Sequence, residues 1–312
     1  MSWFRLLFEY RGSALSRIRG RLLGVFLVAC AVTLHFHLTG AEDLDLSTIP
    51  FTLISLALGV FLGFRNNTSY DRYWEGRKLW GRLVNDTRSF ARLSLSLVAH
   101  DIVPGVQADP AEARALQREL VYRTIGYVHA FRLHLRGELH DLKTIREFLP
   151  ADELAALETE SNVPLAILNG TSARVTRARK LGILHNRDVH LLENMLSDIC
   201  DVQGGCERIK NTPIPWSYTV LMHSIVFVYC FSLPFGIVMT TKLATPLVVA
   251  LIAYAFLGLD AVGDELEEPF GSDYNDLPLS TISRMIEVNL RQALGETDLP
   301  PLLTPDAHRV LT

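Results

Sequence analysis

The stretch LSTIPFTLISLALGVFLGF, residues 46–64, decides the fold, because its 19 consecutive residues include no Asp, Glu, Lys or Arg. A helix needs about 20 apolar residues to cross the hydrocarbon core of a bilayer. Three more uncharged runs lie outward from this stretch, at residues 22–41, 211–241 and 243–259. The four runs predict four transmembrane helices, the last of which extends a few residues past its uncharged ends.

The charged residues of the chain are segregated. Of the 312 residues 49% are hydrophobic and 21% charged, which are averages close to those of a soluble protein. The four runs hold 87 residues, so all 64 charged residues lie among the other 225. This composition excludes a disordered chain, and four cysteines are too few for a disulfide scaffold. A net charge of −4 argues against a nucleic-acid partner.

The charges between the runs predict the orientation. Residues 1–21 contain five arginines and one acid, whereas residues 42–45 contain three acids and no base. The positive-inside rule therefore predicts a cytoplasmic N-terminus and an outer loop at residues 40–50, and four spans return the C-terminus to the cytoplasm. The first run is longer than the apolar core of a signal peptide, so we interpret it as an uncleaved span.

The predicted layout is a basic cytoplasmic arm (1–21), two membrane helices (22–64), a cytoplasmic helical domain (65–210), two further membrane helices (211–263) and an acidic cytoplasmic tail (264–312). Strand signals are almost absent, so we predict an all-α membrane protein whose spans continue as long cytoplasmic helices. Contact between the oppositely charged arm and tail is one expectation, and two solvated charge runs are the alternative.

Several helix boundaries follow from caps and breakers. Asp109 and Pro110 are expected to start a helix that runs to about Leu135. Other helices are predicted at Ala151–Glu160, Thr171–Leu181 and Asp188–Lys210, and Arg82 and Asp86 are spaced as an i,i+4 pair. Breaks are expected at Pro104–Gly105 and at the two prolines of residues 213–215.

Two stripes with i,i+4 spacing run along the second span. The small stripe consists of Ser55, Gly59 and Gly63, and the large apolar stripe of Leu56, Val60 and Phe64. Spacing alone favours ordinary packing surfaces for both, because small residues let membrane helices approach closely. The alternative is that the large stripe lines a pore as a hydrophobic constriction, which gates by dewetting.

Other chemistry is sparse. The sequence has no phosphate-binding glycine loop, H-E-x-x-H or G-x-S-x-G motif, so no enzyme is expected. No charged residue lies within a run, which argues against a proton-coupled transporter. We interpret His35, His37 and His223 as interfacial residues rather than ligands. The acidic segment 264–276 is interpreted as a solvated loop, with a hard-cation site as the alternative.

Three motifs carry a family resemblance. The run GFRNNTSYDRYWEGR, from Gly63 to Arg77, closely resembles the signature of the bestrophins. The I-P-x-x-Y pattern from Ile214 to Tyr218 and the D-x-L-x-x-P-F-G-x-D pattern from Asp264 to Asp273 also resemble that family and occur in its order. The resemblance covers roughly residues 1–295.

The resemblance implies a passive homopentameric ion channel for monovalent ions, with one central pore. It implies that Leu56, Val60 and Phe64 form the pore neck, which reverses the preference for ordinary packing at this stripe. It also implies a second, cytoplasmic aperture at Ile214. The implied partners are other copies of the chain, the lipid bilayer and monovalent ions.

The sequence departs from the animal branch of the family in two places. Aliphatic Leu56 and Val60 resemble the bacterial branch, which favours sodium-type cation selectivity and a bacterial inner membrane, with a chloride or other anion channel as the alternative. Asp273 and Asp276 are the candidate calcium clasp, thinned by the two residues between them, and no other cofactor is expected. A rival of another class is a membrane-anchored binding or signalling protein that acts through its cytoplasmic domain.

Overall fold

The computed structural model describes residues 12–40, 47–99, 109–139 and 142–305, which form helices and connecting turns without a strand. The α-helices are α1 (Ala14–Thr39), α2 (Thr48–Leu97), α3 (Pro110–Arg136), α4 (Ala151–Leu157), α5 (Val163–Lys180), α6 (Asn186–Asn211), α7 (Trp216–Thr241), α8 (Thr245–Glu267) and α9 (Leu279–Ala293). Single 3₁₀ turns occupy Leu142–Ile145 and Lys242–Ala244. The all-α prediction is confirmed over these residues.

The chain forms two compact units. The first comprises Met1–Trp74 and Thr212–Pro269, and the second comprises Glu75–Asn211 and Phe270–Thr312. Helix α2 contributes residues to both, because it is one helix of 50 residues. It has no proline after Pro50, so no residue in its interior interrupts the backbone hydrogen bonds.

The first unit is built from α1, α7 and α8, which pack against one another, and from the first part of α2. Its apolar core includes Val25, Leu62, Val226, Val249 and Leu257. Many large apolar side chains nevertheless lie on its surface, among them Leu23, Leu27, Leu34, Leu38, Val228, Leu247 and Leu251. A soluble monomer rarely exposes contiguous apolar surface on that scale, whereas a bilayer solvates it.

Three segments are long and apolar enough to cross a membrane: Ala14–Thr39, Thr48–Leu97 and Trp216–Glu267. The third contains both α7 and α8. These two helices pack against each other, so the chain reverses direction at the 3₁₀ turn between them. Each of the four uncharged runs therefore overlaps one of the helices α1, α2, α7 and α8.

The reversal between α7 and α8 depends on a local hydrogen-bond cluster. Lys242, which follows the last residue of α7, has a φ of 48°, a backbone conformation that residues with a side chain rarely adopt. The hydroxyls of Thr241 and Thr245 lie 2.7 Å apart, and that of Thr245 donates to the carbonyl of Lys242 at 2.6 Å. Pro246 in the first turn of α8 suits a position where no N–H donor is needed.

Helix α3 is the centre of the second unit, and α5, α6 and α9 all pack against it. Its start is as predicted, because the Asp109 carboxylate accepts the N–H of Ala111 at 2.8 Å and Pro110 lies in the first turn. Its end at Arg136 is within one residue of the prediction. The ring of Trp80, from α2, stacks on that of Phe131 with centroids 5.5 Å apart, and both are fully buried.

The remaining boundary predictions differ in detail. Helix α5 begins at Val163 rather than Thr171, because the Asn162 side chain caps it by accepting the N–H of Leu165 at 3.1 Å. Helix α4 ends at Leu157, three residues early, and α6 extends the predicted helix by two residues at its start and one at its end.

Other local predictions are confirmed. Arg82 and Asp86 form the expected pair at 3.2 Å. The proline-rich break falls between α6 and α7. Arg17 lies 2.8 Å from Glu265, so the arm and the start of the acidic tail meet in the first unit. Three parts of the predicted layout lie outside the described residues: the break at Pro104–Gly105, residues 1–11 of the arm and residues 41–46 of the outer loop.

Candidate functional site

The large stripe of α2 is a bare apolar face. Leu56, Val60 and Phe64 are 70%, 50% and 63% exposed. Leu58 and Leu62, on another face of the same helix, are 2% and 0% exposed and belong to the core of the first unit. Successive residues are rotated by about 100° around a helix, so these alternating positions separate an anchored face from a bare one.

Gly59 and Gly63, two of the three residues of the small stripe, are also uncovered. A methyl group added at Gly59 or Gly63 would meet no atom of another described residue within 4 Å. Neither glycine therefore packs against another helix of the same chain within the described residues. A glycine surface of this kind allows the close approach of a helix from another copy.

A buried ion pair follows the large stripe directly. The Arg65 side chain is 0% exposed, and its Nη1 lies 2.7 Å from Oδ1 of Asp260 in α8. Its Nη2 binds Oδ1 of Asp264, one turn further along α8. Sequence reasoning missed this pairing. The available signal was the spacing of Asp260, Asp264 and Glu267, which places three acids on one face of a helix after an uncharged run.

His223 of α7 joins the same group of side chains. Its Nδ1 lies 2.7 Å from Oδ2 of Asp260, and its Nε2 lies 3.6 Å from Oδ1 of Asp264. The three side chains are close enough to hold a metal ion. However, Arg65 already binds an oxygen of each carboxylate and supplies the positive charge that the buried Asp260 and the part-exposed Asp264 need. The arrangement is that of an ion-pair cluster.

Ile214 lies in the turn between α6 and α7, and the turn is held at several points. The N–H of Ile214 donates to Oε1 of Glu267 at 2.9 Å. Arg72 of α2 donates to the carbonyl of Thr212 at 2.6 Å and to that of Glu267 at 3.1 Å. Tyr218 donates its hydroxyl to the carbonyl of Phe61 at 3.3 Å. These bonds fasten the turn to α2 and to the end of α8.

Asp273 and Asp276 are brought together in the second unit, where two hydrogen bonds join them. The N–H of Asp273 donates to Oδ2 of Asp276 at 2.7 Å, and the N–H of Asp276 donates to the carbonyl of Asp273 at 3.1 Å. A calcium ion takes six to eight oxygen ligands. The described residues bring no third acidic, histidine or cysteine ligand to this pair. By themselves these residues do not fit a calcium site, and the clasp remains a prediction.

The apolar helices and the apolar surface of the first unit define the class of the chain: it is an integral membrane protein. The family described as "Bacterial/Fungal Bestrophin protein" matches residues 1–292. A crystal structure of the bacterial bestrophin homologue of Klebsiella pneumoniae superposes with a TM-score of 0.79 at 31% identity, covering 90% of this chain and 99% of that chain.

Two relatives extend the likeness. The voltage-dependent anion channel-forming protein of Ralstonia nicotianae is 40% identical over 303 residues, which is 96% of this chain and 94% of the relative. The voltage-dependent anion channel-forming protein YneE of Escherichia coli (strain K12) is 35% identical over 310 residues, 99% of this chain and 97% of the relative. The chain belongs to the bestrophin family, in its bacterial and fungal branch, which confirms the resemblance seen in the sequence motifs.

Proposed function

We propose that this chain is the subunit of a passive ion channel that conducts monovalent ions through a hydrophobic neck formed by Leu56, Val60 and Phe64. The observation that carries the proposal is the bare apolar stripe on a helix that Leu58 and Leu62 anchor in the core of the first unit. In a narrow pore, rings of such side chains exclude water and so oppose ion entry until the pore widens. The family and the names of its relatives also favour a channel over an enzyme.

The proposed pore requires several copies of the chain. One α2 helix cannot enclose a lumen, but a ring of copies can place each bare stripe on a common axis. Gly59 and Gly63 support this arrangement, because their uncovered surfaces let neighbouring helices approach closely. The number of copies, five, comes from the family resemblance. Native mass spectrometry of the purified assembly would give five times the 35.0 kDa chain mass if the number is right.

Ile214 is the proposed second constriction, on the cytoplasmic side. The bonds from its own N–H to Glu267 and from Arg72 to Thr212 hold its turn in place. A fixed turn can present one side chain per copy at a constant radius. Replacing Ile214 by alanine should then change the relative permeability of large and small ions more than it changes opening.

Two selectivities, for cations or for anions, are compatible with a hydrophobic neck. The aliphatic neck, similar to that of the bacterial branch, favours sodium-type cation selectivity. Anion selectivity is the second candidate, and the names of the relatives favour it. In planar bilayers with a tenfold NaCl gradient, an ideally selective channel reverses about 59 mV from zero. The sign of that potential separates the two candidates.

The proposed setting is a bacterial inner membrane, with four spans and both termini in the cytoplasm. Arg17, Arg19 and Arg21 lie at the start of α1, and residues 40–50, which follow the helix, contain no lysine or arginine, as the positive-inside rule requires. Protease sensitivity of terminal tags in sealed inverted and right-side-out vesicles tests this orientation. Tags cleaved only in inverted vesicles support it, and cleavage from the opposite side contradicts it.

The rival function is a membrane-anchored binding or signalling protein whose cytoplasmic helices carry the activity. Liposomes containing the purified protein separate the two functions. Tracer flux of sodium or chloride above that of protein-free liposomes supports the channel. Absence of flux, together with a saturable cytoplasmic ligand, supports the rival.

A further inference from the structure

A buried cluster of charged side chains lies directly beyond the proposed neck. Phe64 is 63% exposed, whereas Arg65, the next residue, has a side chain that is 0% exposed. The Arg65 guanidinium binds Asp260 and Asp264, which are one turn apart on α8. A planar guanidinium with two bonds to fixed acceptors has one preferred direction.

The cluster joins three helices of the first unit. Asp260, which is 1% exposed, accepts from Arg65 of α2 through Oδ1 and contacts His223 of α7 through Oδ2 at 2.7 Å. Arg21 of α1 is a looser neighbour, with its Nη1 3.9 Å from Asp260. We call the four side chains Arg65, Asp260, Asp264 and His223 the clamp.

The clamp restricts the rotation of α2 in a way that the apolar contacts do not. Leu58 and Leu62 form the anchored face of α2, and because apolar contacts are non-directional they allow small rotations and shifts. A buried charge that leaves its partner is strongly unfavourable, so Arg65 cannot turn away from α8. Because the helix is stiff, fixing the direction of Arg65 also fixes that of Phe64, at about 100° from it.

We propose that Arg65 is a positioning residue for the neck, and that the clamp sets the direction in which Phe64 and the rest of the large stripe point. Arg65 itself is buried and lines no pore, so it acts through the rotation of α2. This inference rests on the proposed channel function and gives that function a control point outside the neck.

The test uses Arg65→Gln, Asp260→Asn and the double variant, each recorded as single channels in planar bilayers. Arg65→Gln removes the guanidinium from both Asp260 and Asp264, and Asp260→Asn removes one of the two carboxylates that fix the direction of that guanidinium, so in either variant α2 can rotate. We expect each to change the open probability by about 5–30-fold. The double variant should lie closer to wild type than Arg65→Gln, because the buried position 260 then carries no unmatched charge and only the part-exposed Asp264 has lost the guanidinium.

A second buried ion pair provides a matched control. Arg123 in the second unit is also 0% exposed on its side chain and lies 2.5 Å from Glu153. Arg123→Gln should lower the thermal stability as Arg65→Gln does, but leave the open probability unchanged. If Arg65→Gln behaves like this control, the clamp is merely structural and the inference is wrong.

A readout without ion flux separates this inference from the channel function. In a Phe64→Cys background, the rate of alkylation by a membrane-impermeant maleimide is measured at residue 64 by peptide mass spectrometry. Arg65→Gln should change that rate about fivefold or more. A changed alkylation rate in a protein that carries no current would support the role of the clamp and refute the channel function. An unchanged alkylation rate in a protein that conducts ions would refute the role of the clamp alone.

A conservative variant covers a failure of Arg65→Gln to fold. Arg65→Lys keeps the charge but cannot bind both acids with a planar fork. We expect it to shift the open probability and the alkylation rate in the same direction as Asp260→Asn, by a smaller factor. Wild-type values of both quantities in Arg65→Lys and Asp260→Asn would overturn the inference.

Discussion

Val60 and Leu62 lie two residues apart on α2, and we expect truncation to alanine to affect them in opposite ways. Leu62 is 0% exposed and belongs to the apolar core, so Leu62→Ala leaves a cavity. The expected loss of stability is about 2–5 kcal/mol. Val60 is 50% exposed, and Val60→Ala should change the free energy of unfolding by no more than about 0.5 kcal/mol.

The effect on conduction should be the reverse. Removing both methyl groups of Val60 draws back the wall of the neck by about one carbon–carbon bond, or about 1.5 Å. In a ring of copies the opening then widens by about 3 Å, close to the diameter of a water probe of about 1.4 Å radius. Water should enter more readily, and the conductance or the open probability should rise.

The assay combines single-channel recording with thermal unfolding of the same preparations. Ile54→Ala is the matched control, because Ile54 is a β-branched residue of α2 that is 42% exposed and lies about 120° around the helix from Val60. Ile54→Ala should leave the current unchanged. If Val60→Ala destabilises the protein as Leu62→Ala does and leaves the current at its wild-type level, Val60 packs in a core and does not line a pore.

Three further predictions concern other parts of the chain. Gly236→Val should lower the midpoint of thermal unfolding, because even a Cβ at this position would clash with the Phe51 ring; an unchanged midpoint would contradict this packing. Burial raises the pKa of Glu153, but the hydrogen bond and charge of Arg123 outweigh it, so the pKa lies below its ordinary value of 4.5. The stability that the charged Glu153 contributes is therefore present above pH 4.5 and is lost as the pH falls through the lowered pKa. Glu153→Gln should make the free energy of unfolding fall less steeply as the pH is lowered, and an equally steep fall would contradict the prediction. Chelating calcium should leave the current unchanged, because the described residues bring no third acidic, histidine or cysteine ligand to Asp273 and Asp276; a current that vanishes on chelation and returns with calcium would refute this.

Local physics made part of the fold predictable from the sequence. The length of an uncharged run decides whether a helix can cross a bilayer, and that quantity is read directly from the chain. The Asp109 cap and its following proline act within one turn, so the start of α3 was predicted correctly. The predicted start of α5 at Thr171 is too late, because the helix begins after the Asn162 cap, which also acts locally.

The site was predictable only in part. The i,i+4 spacing of the large stripe was visible in the sequence, but a spacing does not tell which face of a helix is anchored. That follows from the burial of Leu58 and Leu62, which depends on the other helices of the first unit. The pairing of Arg65 with Asp260 spans 195 residues, so no local period reveals it. Only the acidic i,i+4 spacing on α8 hinted at a partner.

The most direct test of the proposed neck is thiol modification of Val60→Cys during recording. A charged, water-soluble methanethiosulfonate reagent reaches a cysteine only where water does, and it adds bulk and charge to a narrow apolar ring. We predict that the reagent sharply changes the single-channel current of Val60→Cys and leaves that of Ile54→Cys at its starting value. An unmodified current in Val60→Cys, with labelling of residue 60 verified by mass spectrometry, would contradict the assignment of the neck.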